Sequence, residues 1–293
     1  LSDIGGATAG AVTVTNAVVI TGDHDQLKAA LVTEASKVAA STALVTVNDA
    51  NGVGIAATEL SDIGGATAGA VTVTNAVAIT GDHDQVTAAL VTEATKVGVT
   101  AATVTINDAD AVAVTAVELS DIGNATAGTV TASGAIAITG SDSELTAALV
   151  TEATKVVAGK VGTTATVNNA LTASTAASLA GVSNVTAIYS AGVTDELSNL
   201  TDNDNTISDN VSTLTTEDTD VVITIDDGSG TVDARKLSAL GTSTEGTVTV
   251  SNALTITGDH DQLTAALVTE ASKVAASTAL VTVSDGNGVG IDA

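Results

Sequence analysis

Three histidines with an aspartate on either side are the residues of this chain best suited to acid–base or metal chemistry. They are His24, His83 and His260, and the matching position of a further copy of the surrounding sequence holds Asp142 instead. Stacked copies would lie roughly 10 Å apart, too far to share a metal whose ligands lie about 2.0 to 2.2 Å from it. An aspartate-rich segment is what the dipole at a helix N-terminus favours, so we interpret these histidines as helix starts.

Two acidic, glycine-rich turns are candidates for calcium binding. In the first, the run from Asp227 to Asp233 looks like the middle of an EF-hand loop. Ile225 and Lys236 would occupy the first and last ligand positions, so a complete EF-hand is not expected. The second turn supplies the same kinds of oxygen. The predicted calcium ligands of the two turns are Asp226, Asp227, Ser229, Asp233, Asp285, Asn287 and Asp292.

The sequence lacks other combinations of residues that could support catalysis or nucleotide binding. It contains no cysteine, no nucleophile elbow around a serine and no phosphate-binding glycine motif. We therefore predict no catalytic residues, no cofactor besides calcium, and a protein that is not an enzyme.

The candidate residues belong to a tandem repeat. The segment Ile20–Val47 returns at Ile256–Val283 with one change, at Lys28, and altered copies begin at Ile79 and Ile138. These starts are 59, 59 and 118 residues apart, so the period is 59. Because five periods need only two more residues and the last residues lead back into the first, we expect a window of a longer array. The predicted repeats are 1–59, 60–118, 119–177, 178–236 (diverged) and 237–293.

Each period is predicted to hold two strands and two helical segments. Ala11–Thr15 alternates apolar and polar residues with period two, and Ala43–Val47 is the second predicted strand. The clearest helix follows Asp23, an N-cap with Gln26 three residues later at capping-box spacing. A shorter helical turn, Leu1–Gly6, ends at glycine.

Glu34 determines where the clearest helix ends. If the helix continued, Glu34 would lie on the apolar stripe between Ala30 and Val38. A buried unpaired carboxylate is costly, so we expect the helix to end near Thr33 and Glu34 to pair with Lys37. The same pairing is expected for Glu93–Lys96, Glu152–Lys155 and Glu270–Lys273.

These elements predict an α/β solenoid of strand-plus-short-helix coils. Neither coil of a period can bury its apolar face alone, so the coils should stack, with a parallel sheet on one side and helices behind it. We expect the equivalent strands at Val12, Val71 and Val248 to lie in register, with their threonine neighbours facing outward.

Composition limits the choice of partners. The net charge of −26, from 34 acidic and 8 basic residues, disfavours nucleic acid. No run of about 18 apolar residues exists, so no membrane insertion is expected. Proline, methionine, phenylalanine and tryptophan are absent and Tyr189 is the only aromatic residue, so the core must consist of small side chains. The charge could attract divalent cations, or it could serve only solubility.

The run from Asp227 to Asp233, a leucine turn, Thr247–Val250 and Ile256–Gly258 together resemble repeats of large, aromatic-poor bacterial cell-surface proteins of the cyanobacterial type. That resemblance implies an extracellular, cation-associated structural protein. Together with the period, it predicts a non-enzymatic protein that self-associates into a filament, sheath or surface layer. An adhesin stalk and an ice-binding solenoid with a flat threonine face are the alternatives.

Overall fold

The computed structural model describes residues 1–35, 37–154, 156–272 and 274–291, and this part of the chain is α/β. The helices are α1 (Ser2–Gly6), α2 (His24–Leu31), α3 (Ala57–Gly65), α4 (His83–Leu90), α5 (Ala116–Asn124), α6 (Asp142–Leu149), α7 (Ala173–Ala180), α8 (Leu197–Leu200), α9 (Asp209–Glu217), α10 (Ala234–Ser243) and α11 (His260–Leu267). The strands are β1 (Val12–Thr13), β2 (Val19–Gly22), β3 (Val38–Ala39), β4 (Leu44–Val47), β5 (Gly54–Ala56), β6 (Val71–Val73), β7 (Ala78–Gly81), β8 (Thr103–Ile106), β9 (Ala113–Thr115), β10 (Val130–Ala132), β11 (Ala137–Gly140), β12 (Val156–Ala158), β13 (Thr163–Val167), β14 (Val185–Tyr189), β15 (Val193–Asp195), β16 (Ile223–Ile225), β17 (Thr231–Asp233), β18 (Val248–Val250), β19 (Thr255–Gly258), β20 (Val274–Ala275) and β21 (Leu280–Val283).

The chain forms two compact units, each built on small parallel sheets. The first unit comprises Leu1–Ile138 and Ala147–Thr163, and the second comprises Thr139–Thr146 and Thr164–Ala293. Sheets of the first unit have the strand orders β1-β3, β2-β4-β6 and β5-β7-β8-β10-β12. Sheets of the second unit have the orders β15-β16-β18-β20 and β17-β19-β21. The strands pair in parallel in all of these sheets.

The pairing register differs from the expected stacking of equivalent strands. Val71 lies opposite Val45 of the same sheet, and Val12 lies opposite Val38, so each of these pairs joins residues 26 apart. Val12, Val71 and Val248 consequently lie in three different sheets, and the expectation that they share one register was wrong. The physical reason is that facing residues of neighbouring strands are 25 or 26 apart, so two steps across a sheet cover 51 or 52 residues and do not reach the equivalent position of a 59-residue period.

The clearest predicted helix is confirmed in detail. Asp23 Oδ1 accepts a hydrogen bond from the Gln26 N–H at 2.8 Å, and the Gln26 side chain accepts one from the Asp23 N–H at 3.3 Å. Helix α2 ends at Leu31, so Glu34 lies outside it and is exposed. Lys37 Nζ donates to Glu34 Oε1 at 2.6 Å.

The corresponding pair Lys96–Glu93 is also present. The pairs predicted for Glu152 and Glu270 involve Lys155 and Lys273, which lie outside the described residues.

The predicted helical turn Leu1–Gly6 is confirmed as α1 (Ser2–Gly6), but its equivalents in the next two periods are longer than predicted. Helices α3 and α5 have nine residues, and the predicted Leu-Ser-Asp-Ile-Gly turn forms only their C-terminal part. At the start of α5, Thr115 Oγ1 accepts from the Glu118 N–H at 3.2 Å, while Glu118 Oε2 accepts from the Thr115 N–H at 3.0 Å. Leu60 and Ile63 of α3 are fully buried, so this helix contributes two of the large aliphatic side chains of the core.

The core consists mainly of valine, alanine, leucine and isoleucine, as the composition requires. Tyr189 is the exception, in the diverged repeat. Its hydroxyl donates to the Ala176 carbonyl at 2.7 Å, and burial strongly raises the pKa of the phenol. The ring therefore remains a neutral donor that satisfies a buried carbonyl.

Candidate functional site

The first predicted calcium turn connects β16 to β17. Two of its predicted calcium ligands, Asp227 and Asp233, already bind other groups of the protein. Asp227 Oδ2 accepts from the backbone N–H that begins α8, at 2.8 Å. Asp233 is the N-cap of α10 and pairs with Arg235, whose Nε lies 3.0 Å away. This hydrogen bond to Arg235 holds the pKa of Asp233 below its usual value. Asp226 and Ser229 are exposed in the same turn.

In the second predicted calcium turn, one of the predicted ligands also binds other groups of the protein. Asp285 binds the side chain and the backbone of His260. Asn287 is exposed, and Asp292 lies outside the described residues. Across residues 1–35, 37–154, 156–272 and 274–291, no group of three or more His, Asp or Glu side chains is arranged to hold a metal ion. Calcium binding at either turn therefore stays a prediction from sequence.

The histidines form a recurrent contact that sequence reasoning missed. In three copies the histidine Nδ1 lies 2.7 Å from one oxygen of an aspartate that is 25 residues later in the chain. The other oxygen of the same carboxylate accepts the backbone N–H of the histidine, at 2.8, 2.9 and 3.1 Å. We call each contact a His–Asp clamp. The clamps are His24–Asp49, His83–Asp108 and His260–Asp285.

The clamp ties the start of one helix to the turn after a later strand of the same repeat. Its aspartate follows β4, β8 or β21, and its histidine is the first residue of α2, α4 or α11. The carboxylate thereby accepts one of the helix N–H groups that have no partner within the helix. It is also a negative charge at the positive end of the helix dipole.

The third and fourth copies keep the backbone contact with other side chains. The Asp142 N–H donates to Asn169 Oδ1 at 2.8 Å, and Asn169 Nδ2 donates back to Asp142 Oδ1 at 3.0 Å. The backbone hydrogen bond keeps its direction, whereas in the side-chain hydrogen bond the residue at the helix start is now the acceptor. In the diverged copy, Asp227 Oδ2 accepts from the N–H of Leu197, the first residue of α8, at 2.8 Å. An acceptor for the first helical N–H is therefore common to these copies.

The clamp also changes the acidity of the histidines. Burial alone would lower the pKa of His24, but the hydrogen bond and charge of Asp49, with other nearby carboxylates, outweigh it, so the pKa lies above its usual 6.5. The pKa of His83 is raised for the same reasons. At His260 the hydrogen bond to Asp285 is the main cause of the raised pKa. Each clamp is therefore strongest with a protonated imidazole.

Stability should fall as the pH rises above neutrality. A group whose pKa is higher in the folded state stabilises it fully below the unfolded pKa, and that contribution is lost as the pH passes the folded pKa. We expect the urea midpoint to decrease between about pH 6.5 and pH 9. In a chain with His24→Asn, His83→Asn and His260→Asn, the midpoint should vary much less over this range. Equal slopes for the two chains would contradict the clamp's role.

A second recurrent contact joins the second, third and fifth repeats to the repeats that precede them. Thr67 Oγ1 donates to the Ala43 carbonyl at 2.7 Å and accepts from the Gly69 N–H at 3.0 Å. A Cβ added to Gly69 would lie only 2.0 Å from the same carbonyl, so this close approach requires glycine. We call this contact the Thr–Gly hook. It recurs at Thr126–Gly128 on the Ala102 carbonyl and at Thr244–Gly246 on the Val221 carbonyl.

Threonines line up across neighbouring strands on the outward face of the sheets. In the sheet β2-β4-β6 the middle threonine of each strand lies opposite the next, and two other sheets repeat this arrangement. Parallel strands are about 4.8 Å apart, so each row presents regularly spaced hydroxyl and methyl groups. The rows are Thr21–Thr46–Thr72, Thr80–Thr105–Thr131 and Thr194–Thr224–Thr249.

Comparison of the chain with family models, with curated proteins and with solved structures found no match. None of the helices in the described ranges is both long enough and apolar enough to cross a membrane. The fold and its recurrent contacts define a class, that of α/β tandem-repeat proteins in which a threonine at a fixed repeat position joins neighbouring repeats at three junctions.

Proposed function

We propose that the chain is a non-enzymatic structural protein whose repeats continue as one α/β solenoid and assemble into a filament, sheath or surface layer. The observation that carries this proposal is the recurrence of the Thr–Gly hook at three repeat junctions, with the same 2.7 Å hydrogen bond each time. A junction that recurs in this way can be extended by further repeats without new contacts.

The hydrogen bonds that the polar side chains make within the protein also support a structural function. The histidines, which are the best candidates for acid–base chemistry, have Nδ1 bound to aspartate in all three copies. Two of the predicted calcium ligands, Asp227 and Asp285, bind the backbone at helix starts. An extracellular location is the part of the proposal that rests on the resemblance to bacterial cell-surface repeat proteins.

Electron microscopy of the purified chain, with native secreted material beside it, tests this function. We expect fibres or sheets with a repeat along their length. Only dispersed, short monomers in both samples would contradict the proposal. An adhesin stalk would instead give separate elongated particles, each with a distinct domain at its tip.

Ice binding is a second candidate, favoured by the threonine rows. Rows of hydroxyl and methyl groups on a flat sheet could order water at a regular spacing, and Thr21 and Thr72 are exposed. Thermal hysteresis in dilute solution separates this function from the first. A freezing-point depression no larger than that of a Thr21→Lys, Thr72→Lys control would exclude it.

Calcium is predicted to stabilise the repeats or their assembly. A net charge of −26 on 293 residues creates repulsion. At physiological salt the Debye length is about 8 Å, so monovalent ions screen the repulsion between more distant charges but not that between carboxylates of one turn. Carboxylate and carbonyl oxygens are the ligands that calcium prefers. We expect the melting temperature to fall with chelator and to recover with millimolar calcium, more than with matched magnesium or sodium. An unchanged melting temperature and assembly in every buffer would leave calcium without a role.

A further inference from the structure

We propose that Asn51 is a site of spontaneous deamidation, and that the junction between the first and second repeats keeps this reaction slow in the folded chain. Asn51 is followed by Gly52 in the turn between β4 and β5, and both residues are exposed. Asparagine is a thermolabile residue, and a following glycine has no side chain to hinder a close approach to its amide. The modification requires neither an enzyme nor a bound ligand.

The reaction is an attack of the backbone on the side chain. The Gly52 nitrogen loses its proton to hydroxide and forms a bond to Asn51 Cγ, and the Cγ–Nδ2 bond then breaks to release ammonia. The product is a five-membered succinimide. Water opens this ring at either carbonyl and leaves aspartate or isoaspartate, so water is the only co-reactant. The reaction therefore requires the Gly52 nitrogen and Asn51 Cγ to meet.

In the structure both of these groups are bound to Ala76 of the second repeat. The Gly52 N–H donates to the Ala76 carbonyl at 2.8 Å, and the Ala76 N–H donates to Asn51 Oδ1 at 3.0 Å. The first bond retains the proton that the nitrogen must lose, and the second holds the side-chain amide towards Ala76. The attack therefore has to wait until the two repeats separate at this point.

The contact with Ala76 lies at one end of the strand pair that joins the two repeats. Strand β4 pairs with β6, with Val45 opposite Val71, and the Thr–Gly hook of Gly69 lies at the other end of this pair. Opening of the pair would free the turn at Asn51, so the rate of deamidation would follow the fraction of time for which the junction is open. Asn51 would thus record the opening of this junction as an irreversible change of mass.

The second repeat shows how the aspartate product fits the turn. Asp110 occupies the position of Asn51, and Ala111, with φ of 63°, has the left-handed conformation of Gly52, with φ of 78°. Asp110 Oδ1 accepts from the Ala135 N–H at 3.0 Å, and the Ala111 N–H donates to the Ala135 carbonyl at 2.8 Å. These contacts and distances are those of the first junction, so conversion of Asn51 to aspartate should preserve it.

The isoaspartate product fits the turn less well. Its main chain continues through the side-chain carbon, so the turn gains one atom between residue 51 and Gly52. The Gly52 N–H and the remaining carboxylate then no longer match the carbonyl and the N–H of Ala76 together. We expect the isoaspartate form to have a lower urea midpoint than the aspartate form.

Peptide mapping by mass spectrometry tests the proposal. It separates Asn51 from Asn287, the other asparagine that precedes a glycine. The rate at Asn51 is measured in the folded chain and in the chain unfolded by guanidinium chloride, at the same mildly alkaline pH. We expect deamidation to be at least about tenfold slower in the folded chain, because it depends on the open fraction of the junction. Equal rates in the two samples would overturn the proposal, and so would an Asn51 that stays unreacted in the unfolded chain.

Gly69→Ala is the variant that opens this junction. Its Cβ would lie 2.0 Å from the Ala43 carbonyl oxygen, a clash that separates β6 from β4. The rate at Asn51 should rise about fivefold or more, the change in open fraction that the usual cost of overpacking gives. Gly128→Ala is the matched control, because its Cβ would lie 2.1 Å from the Ala102 carbonyl oxygen at the next junction. It should leave the rate at Asn51 close to that of the wild type.

The two variants are compared under conditions in which circular dichroism shows both to be folded. Equal acceleration by both would overturn the inference that the first junction protects Asn51, because the protection would then belong to the fold as a whole.

Asn51→Asp tests the fit of the aspartate product. The variant should retain the urea midpoint of the wild type, because Asp110 already makes the same contact at the same distance. A clearly lower midpoint would overturn the inferred fit.

Discussion

Gly128→Ala is expected to lower the stability of the junction between the second and third repeats by about 1–3 kcal/mol or more, the usual cost of overpacking. A Cβ at this position would lie 2.1 Å from the Ala102 carbonyl oxygen and 2.6 Å from its carbon. Both atoms belong to the backbone beside the paired strands β8 and β10, so they cannot move without separating the strands. The measurement is the urea midpoint followed by circular dichroism.

Gly54→Ala is the control for this variant. Gly54 also lies in a strand, β5, but its Cβ would meet nothing within 4 Å. Its midpoint should remain close to that of the wild type, since alanine also restricts the unfolded chain. Equal midpoints for the two variants would show that the close approach at Gly128 does not limit stability.

Val104→Asp should have the largest effect, a loss of about 4 kcal/mol from burying an unpaired charge. Val104 is buried in the middle of a five-stranded sheet, with Ile79 on one neighbouring strand and Val130 on the other. No basic side chain lies opposite it in either strand. Because protonation removes the charge, the loss should be smaller at pH 4 than at pH 7.

Thr105→Asp is the matched control, one residue further along the same strand on the opposite face. Thr105 lies in a row of outward threonines and is partly exposed, so its replacement should cost much less. The two variants are compared by their denaturation midpoints at both pH values. A similar loss of stability for both variants would contradict the prediction, because it would show that an aspartate costs the same on the buried face of the strand as on its exposed face.

Helix α2 was predictable from sequence because every signal that defines it is local. The cap at Asp23, the reciprocal contact with Gln26 and the end before Glu34 involve residues within one or two turns of each other. The second helix was predicted too short, although Thr115 and Glu118 form a capping box that marks its start. The repeats were counted from Leu1 and its equivalents, such as Leu119. The capping residues Thr115 and Glu118, which come just before Leu119, therefore fell at the end of the preceding repeat.

The strand register could not be predicted from the 59-residue period. A period shows that equivalent positions have equivalent surroundings, but it does not show which positions face each other. Ala11–Thr15 and Ala43–Val47 each place two valines two residues apart, so the pattern fits pairing between strands of the same kind and between strands of different kinds. The structure pairs the two kinds of strand, as Val45 opposite Val71 shows.

The His–Asp clamp was missed for the same reason, because its partners are 25 residues apart. One sequence signal could have revealed it. Where the third copy replaces histidine by Asp142, it also has Asn169 at the end of the following strand, in place of the aspartate of the other copies. A coupled change of this kind indicates contact between the two positions.

That coupling limits how copies of this gene segment can recombine. A crossover between the second and third repeats that falls between the two clamp positions would join His83 to Asn169, or Asp142 to Asp108. The first combination loses the charge pair, and the second places two carboxylates beside one another. A crossover outside this interval keeps every clamp intact. Exchange of sequence between these repeats should therefore leave functional products mainly when the breakpoints fall outside the helix and strands that the clamp connects.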